Sequence, residues 1–254
     1  MKQGIYTIRH NRALTEDIFE LCLAGDTTPI TAPGQFVNIK IDGCFLRRPI
    51  SVCDWNEEDL TLVIKKVGEG TALLAGMREG QTLDLLCGLG NGFPVSRCGQ
   101  KPLLLGGGFG TAPLYGLAKA LVQAGAKPTA VLGFNRKADI FYEQEFRALG
   151  VETIIATVDG SAGTKGFVTD ALPGRPDCSE YPEKAESHDV FCACGPMPMM
   201  KAVYAALQLP GFFSLEERMG CGFGACMGCS CKTKAGSNRV CKEGPVFEKE
   251  ELLW

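Results

Sequence analysis

Histidine is almost missing from this chain. Only His10 and His188 stand among 254 residues, and neither has a carboxylate or nucleophile motif around it. Histidine acid–base or triad chemistry is therefore not expected, and both rings are expected at the surface. Positive charge is not in excess either: 26 basic residues face 29 acidic ones, for a net charge of -3. No basic stripe is available to follow a phosphate backbone, which argues against a nucleic-acid partner. Long apolar runs are also lacking. The opening MKQGIYTIRHNRALTEDIF has no apolar core of signal-peptide length, and the longest apolar stretch, residues 102–126, is interrupted by Gly106, Gly107, Gly108, Gly110 and Lys119. A soluble cytoplasmic protein with no membrane partner is expected.

Cysteine, by contrast, is abundant, with 13 residues. Most sit singly within apolar runs, as Cys22, Cys53 and Cys192 do, a pattern of reduced core thiols rather than of a secreted disulfide framework. The terminal stretch differs. Cys221-Gly-Phe-Gly-Ala-Cys226-Met-Gly-Cys229, followed by Cys241, has the C-x4-C-x2-C...C spacing with which four thiolates hold a 2Fe-2S cluster of plant-ferredoxin type. Gly220, Gly222, Gly224 and Gly228 allow the loop backbone to pass close to inorganic sulfide. Cys231 is a spare thiol, but only Cys229 completes the spacing. A zinc site would more usually show two C-x2-C pairs or a Cys/His mixture, so a zinc-stapled nucleotide-binding module without redox chemistry is the rival from another class.

The length and the 45% hydrophobic content allow two domains plus a small tail. Up to residue 98 the pattern is short alternating or β-branched runs, at 5–8, 36–41, 60–65 and 82–86, with turn pairs such as Pro33-Gly34, Asp42-Gly43 and Asn91-Gly92 between or after them. From residue 101 the period changes. Strands are expected at 102–106, 129–134, 152–157 and 189–193, with helices at 112–124, 143–149 and 197–207, a helical turn near 168–172 and a Pro-rich loop at 173–187. The expected fold class is therefore β plus α/β. An antiparallel β-barrel occupies residues 1–98, a doubly wound parallel sheet 99–210, and a small cysteine-bearing segment 211–254.

Two places in the barrel half suit a phosphate-bearing ligand. Arg48-Pro49-Ile50-Ser51 puts a guanidinium and a hydroxyl on one short strand, and Gly70-Thr71 opens a helix-like run whose amides could meet a pyrophosphate. Arg48 as a surface ion-pair partner and Thr71 as a simple N-cap are the plainer readings. In the second half, Gly106-Gly107-Gly108-Phe109-Gly110-Thr111 follows the first strand directly, where a glycine-rich turn brings amides to a diphosphate. The third glycine of the dinucleotide fingerprint is replaced by Thr111, which leaves a tight structural turn as the alternative. No acid stands at the ribose position; Asn135-Arg136-Lys137 does, and its cations could grip a 2′-phosphate. Cys194-Gly195-Pro196 closes the sheet at the equivalent edge, with Cys194 either beside a nicotinamide or a buried structural thiol.

Taken in order, Arg48-Pro-Ile-Ser51, Gly-Glu-Gly-Thr71, Gly-Asn-Gly-Phe-Pro94, Gly-Gly-Gly-Phe-Gly110, Cys-Gly-Pro-Met197, Ser214-Leu-Glu-Glu-Arg-Met-Gly-Cys221 and Val240-Cys241-Lys-Glu-Gly-Pro-Val-Phe247 resemble one family over nearly the whole chain. It is the electron-transfer subunits of type B dihydroorotate dehydrogenases, within the ferredoxin reductase superfamily. The resemblance implies FAD on the barrel, NAD on the second domain and a 2Fe-2S cluster in the tail. It carries the flavin contacts onto Arg48, Pro49, Ile50, Ser51, Val63, Ile64, Lys65, Gly70 and Thr71. The candidate nicotinamide residues are Gly107, Gly108, Gly110, Thr111, Cys194, Gly195 and Pro196, and the cluster ligands are Cys221, Cys226, Cys229 and Cys241. It also implies a separate FMN-containing catalytic subunit that oxidises dihydroorotate to orotate in pyrimidine synthesis, joined in a heterotetramer of two chains of each kind, with electrons running from FMN to cluster to FAD to NAD. Ile50 stands where many relatives in the superfamily carry an aromatic residue, and Trp254 is not assigned the ring-stacking role of their terminal aromatic. A reductase subunit of another complex, such as a sulfite reductase, hydrogenase or glutamate synthase, is the nearer rival.

Overall fold

The structure, a computed structural model, describes residues 1–174 and 187–254. Most of the loop expected at 173–187 lies outside the described residues.

Six strands close an antiparallel barrel: β1 (Lys2–Ala13), β2 (Ile18–Ala24), β3 (Phe36–Lys40), β4 (Arg48–Trp55), β5 (Asp59–Lys65) and β6 (Thr82–Leu89), in the order β1-β2-β5-β4-β3-β6. Period-2 alternation places their side chains. In β6, Leu83, Leu85, Cys87 and Leu89 are buried, while Thr82 is exposed and Asp84, Leu86 and Gly88 are half-buried. A two-turn helix, α1 (Glu69–Ala75), covers part of the barrel through Leu74.

The second half alternates as its sequence predicts: β7 (Pro102–Gly107), α2 (Thr111–Gln123), β8 (Thr129–Phe134), α3 (Glu143–Ala148), β9 (Glu152–Thr157), β10 (Thr164–Lys165), β11 (Val190–Cys194), α4 (Met197–Ala206) and β12 (Gly211–Ser214). Every residue of β7, β8 and β11 is buried, the mark of parallel strands covered on both faces. The chain then forms a hairpin, β13 (Ser230–Thr233) with β14 (Gly236–Arg239), and returns as β15 (Val246–Glu248). The sheet order is β10-β9-β8-β7-β11-β12-β15, so β12 and β15, both within residues 211–254, belong to it. Connections leave β7 in one direction toward β8 and β9, and the chain resumes on its other side at β11. That reversal makes the carboxyl ends of β7 and β11 the topological switch point, where open α/β sheets bind ligands. Gly106 and Cys194 stand opposite each other there.

Barrel and sheet meet through packing and charge. Helix α2 crosses β4 so closely that a Cβ on Gly116 would stand 2.5 Å from the Cys53 carbonyl oxygen. Lys119 Nζ of α2 donates to both oxygens of Asp54 on β4, at 2.8 and 2.7 Å. The Glu20 carboxylate of β2, 5% exposed, accepts from Tyr142 of the sheet half at 2.5 Å, from Arg12 at 2.7 and 3.0 Å, and pairs with His10 at 3.0 Å. One expectation is corrected. His188 is buried, at 4% exposure, because the chain entering β11 alternates, with exposed Asp189 between buried His188 and buried Val190; only His10 has the exposed ring expected of both. The 12 described cysteines are all unpaired, and Cys22, Cys53 and Cys192 are core thiols as their apolar surroundings predict.

Candidate functional site

Two cavities open side by side between barrel and sheet. The smaller, about 400 Å³, is walled on the barrel side by Arg48, Pro49, Ile50 and Ser51 of β4 and by Ile64 and Lys65 of β5, with Val67 and Thr71 at one end. The antiparallel pairing of β4 with β5 is what sets these two motifs together. Seven of the nine candidate flavin residues thus converge. Val63 does not line the cavity, since strand alternation turns it into the core between barrel and sheet. Gly70 lies beneath the Arg48 side chain: a Cβ there would meet Arg48 Nε at 2.8 Å, so the absent side chain is what lets the guanidinium lie flat across the start of α1. Arg48 Nη1 donates to the Leu46 carbonyl. The Thr71 hydroxyl closes its own turn, accepting from the amides of Val67 at 2.9 Å and Gly68 at 3.2 Å.

The larger cavity, about 610 Å³, lies over the carboxyl ends of the parallel strands. Gly107, Gly108 and Gly110 form one wall, Gly195 and Pro196 another, and Asn135, Val158 and Phe167 the far end. The two candidates next in line are behind the wall. Thr111 is fully buried at the start of α2, and its Oγ1 has no hydrogen-bond partner, an orphaned polar atom just under the glycine turn. Cys194 is 1% exposed, with burial holding its thiol far above the usual range, and its carbonyl sits 2.2 Å from where a Cβ on Gly110 would be. The glycine turn therefore presses directly on the end of β11, which leaves room above for a ligand's diphosphate against backbone amides. Three residues line both cavities: Lys65, Phe109 and Glu216. Lys65 was a flavin candidate; Phe109 and Glu216 were not singled out, and a lone Phe in a glycine run or one Glu of a pair carries no signal of its own. Glu216 keeps an exposed surface at the mouth of the cleft, and crowding by the cleft walls raises the pKa of its carboxyl.

The cysteine loop is folded against the barrel. Asn38 Nδ2 of β3 donates to the Cys221 carbonyl at 3.1 Å, and Gly222, with φ +78, passes so near that a Cβ would stand 2.5 Å from that nitrogen. Amides turn toward the sulfurs. Cys221 Sγ accepts from Ala225 at 3.2 Å and Cys226 at 3.5 Å, Cys226 Sγ from Gly228 at 3.5 Å, and Cys229 Sγ from Cys241 at 3.4 Å. Partial burial opposes ionisation of Cys221, yet the amides at Cys226, Phe223 and Ala225 draw it down to about 6. Burial and the neighbouring Cys229 push Cys241 up to about 12. Amide bonds to sulfur of this kind favour thiolates and tune iron–sulfur potentials, so the four residues suit a cluster. Among the described residues no three His, Cys, Asp or Glu gather round a single-ion position; a 2Fe-2S cluster needs its four thiolates divided between two irons. Cys231 lies in β13 opposite Asn238, and Trp254 packs edge-on against Phe213 at 4.8 Å and Tyr204 at 5.6 Å, away from both cavities.

Comparison with known proteins agrees with this arrangement. Residues 216–253 match the family model of the iron-sulfur cluster binding domain of dihydroorotate dehydrogenase B, and residues 104–205 that of the oxidoreductase NAD-binding domain. The electron transfer subunit of dihydroorotate dehydrogenase B (NAD(+)) from Geobacillus sp. (strain WCH70) is 46% identical over 100% of this chain and 99% of its own length. The Fusobacterium nucleatum subunit of the same name is 42% identical over 97% of each. Among solved structures, the NADH-dependent reduced ferredoxin-NADP oxidoreductase studied for flavin-based electron bifurcation superimposes with a TM-score of 0.87 at 33% identity, over 99% of this chain and 90% of that one. A ferredoxin NADP+ reductase from Neisseria gonorrhoeae shares the fold, with a TM-score of 0.68 at 17% identity over 81% of this chain and 90% of that one.

Proposed function

This chain belongs to the family of electron transfer subunits of dihydroorotate dehydrogenase B, an NAD-linked oxidoreductase, and we propose that its three ligand sites form one relay across the barrel, the sheet and the cysteine loop. The observation that carries the proposal is adjacency. The two cavities share Lys65, Phe109 and Glu216, and the cysteine loop is tied to β3, the barrel strand beside β4.

When bound, FAD supplies hydride exchange with the nicotinamide of NAD and single-electron exchange with the 2Fe-2S cluster, chemistry that belongs to the cofactors. The protein binds, orients and excludes water. Arg48 and Ser51 hold the flavin's polar groups on β4, Pro49, Ile50 and Ile64 give it an apolar wall, and Lys65 closes the junction. Val63 and Gly70 act beneath this surface, one as core and one as the bed of Arg48. Gly107, Gly108 and Gly110 present amides to the dinucleotide's diphosphate, Gly195 and Pro196 shape the nicotinamide end, and Thr111 and Cys194 support the two walls from behind. Cys221, Cys226, Cys229 and Cys241 hold the cluster. No side-chain acid or base takes part in catalysis.

Residues 1–98, 99–210 and 211–254 correspond in this reading to the FAD-, NAD- and cluster-binding parts. Dihydroorotate is oxidised on a catalytic partner subunit, which we take to contain FMN and to assemble with this chain as two of each. Phe223 and Met227, 44% and 50% exposed beside the exposed Cys226, give the cysteine loop an apolar outer side suited to that partner. No helix among the described residues is long and apolar enough to cross a membrane, and the unpaired thiols fit a reducing cytoplasm. The test is anaerobic purification with the neighbouring catalytic chain. Equal iron and acid-labile sulfide, one FAD and bleaching of both by NADH are expected; zinc without flavin would refute the relay.

A further inference from the structure

The end of β8 carries Asn135-Arg136-Lys137 where nicotinamide-binding sheets meet the adenosine ribose, and an arginine there commonly accepts a 2′-phosphate. Asn135 lines the larger cavity, as does Val158 at the end of β9. Arg136 is 58% exposed, but its guanidinium is already paired with carboxylates. Its Nε donates to Asp139 Oδ1 at 2.9 Å, and its Nη2 lies 3.9 Å from Glu16 Oε2, reaching across from the barrel. Asp159 adds a third carboxylate. Its amide donates to the Asn135 carbonyl at 3.1 Å, and its charge acts on Arg136 together with those of Asp139 and Glu16. Lys137 turns its amide to Ser161 Oγ at 2.7 Å, and its side chain is exposed. Three carboxylates thus act on Arg136 at the ribose end.

We propose that Asp139, by holding Arg136 within this carboxylate-rich rim, is a specificity-determining residue that makes the site take NAD(H) and reject NADP(H). A ribose hydroxyl can donate to such a rim; a phosphate monoester, carrying roughly -1.5 to -2 charges, is repelled by it and finds the guanidinium already engaged. The proposal rests on the reading of the larger cavity as the NAD site.

The experiment measures flavin reduction by NADH and by NADPH in the holoprotein, in stopped flow at low and high salt. Asp139→Asn should raise the NADPH-to-NADH ratio of kcat/KM by about two- to fivefold, the scale of one exposed ion pair released, and the gain should shrink at high salt. Glu16→Gln, at longer range, should give a smaller gain. Adding Arg136→Ala to Asp139→Asn should cancel it. Adenosine 2′,5′-bisphosphate should bind the Asp139→Asn protein more tightly than wild type, a readout independent of turnover. An Asp139→Asn ratio within twofold of wild type would overturn the proposal while leaving the NAD site intact. Failure of NADH to reduce the wild-type flavin would instead refute the site reading and the proposal with it.

Discussion

Replacing Glu20 by Gln should loosen the joint between barrel and sheet. The carboxylate is nearly enclosed, and burial alone would raise its pKa; donors from Arg12, Tyr142 and His10 more than reverse this and hold it down at about 2, against 4.5 for a free side chain. At about 1.4 kcal/mol for each tenfold in proton affinity, this amounts to about 3 kcal/mol of stability. The carboxylate is lower in the folded protein, so that contribution is complete above the unfolded value of 4.5 and is lost as pH falls from there toward 2. Gln keeps the shape and loses the charge, leaving Arg12 and Tyr142 with a weaker acceptor. For a chain of this size, about 3 kcal/mol lowers the apparent melting temperature by about 6–12 °C. The assay is thermal unfolding of the FAD-loaded protein at pH 7 and at pH 4, followed by flavin fluorescence and circular dichroism. Glu20→Gln should melt earlier at pH 7 and show a smaller loss on acidification than wild type. Tyr142→Phe, which removes one donor, should fall between. A Glu20→Gln protein melting within 2 °C of wild type, with the same acid sensitivity, would show that the network adds nothing to the joint.

Ser in place of Cys221, Cys226, Cys229 or Cys241 should bleach the cluster's visible absorption with FAD retained, whereas Cys231→Ser should keep the full spectrum; a stable cluster in any of the four would redraw the ligand set. Arg48→Ala should weaken FAD by about 1.5–3 kcal/mol, the typical loss of a charge-assisted bond, measured by flavin release in an ultrafiltration titration. Unchanged affinity would make Arg48 a plain surface cation. Gly222→Ala forces a side chain into a backbone with φ +78 and against Asn38, so about 1–2 kcal/mol of strain should make the cluster more labile to oxygen, read as a faster loss of colour; a wild-type lifetime would mean the loop does not need that close approach.

What could be read beforehand follows from how each signal arises. β8 and β9 occupy the very residues expected because buried β-branched runs between polar breaks announce themselves locally. Strands β12 and β15, of four and three residues, exist through their partners: Phe213 pairs with Phe247 across a long stretch of sequence, and no local period betrays that. The same holds at the site. Contiguous motifs identified the cavity walls, yet Val63, Thr111 and Cys194 lie one layer below, since alternate residues of a strand or turn face opposite ways. Phe109 and Glu216, at the junction, are brought there by tertiary folding alone. The burial of His188 depends on the sheet that follows it, which no local pattern announces.

The excursion that carries the four site cysteines starts from β12 and comes home as β15, its neighbour, so both ends are anchored in one sheet, while Asn91 Nδ2 of the barrel donates to the Glu243 carbonyl at 2.9 Å and bridges to the returning chain at Pro245. A metal centre mounted in this way is not a tethered shuttle that swings between donor and acceptor. Its spacing from the nucleotide cleft is built into the sheet, so the intramolecular electron-transfer rate should be insensitive to solvent viscosity, and the segment could not be excised or transplanted without taking an edge of that sheet along.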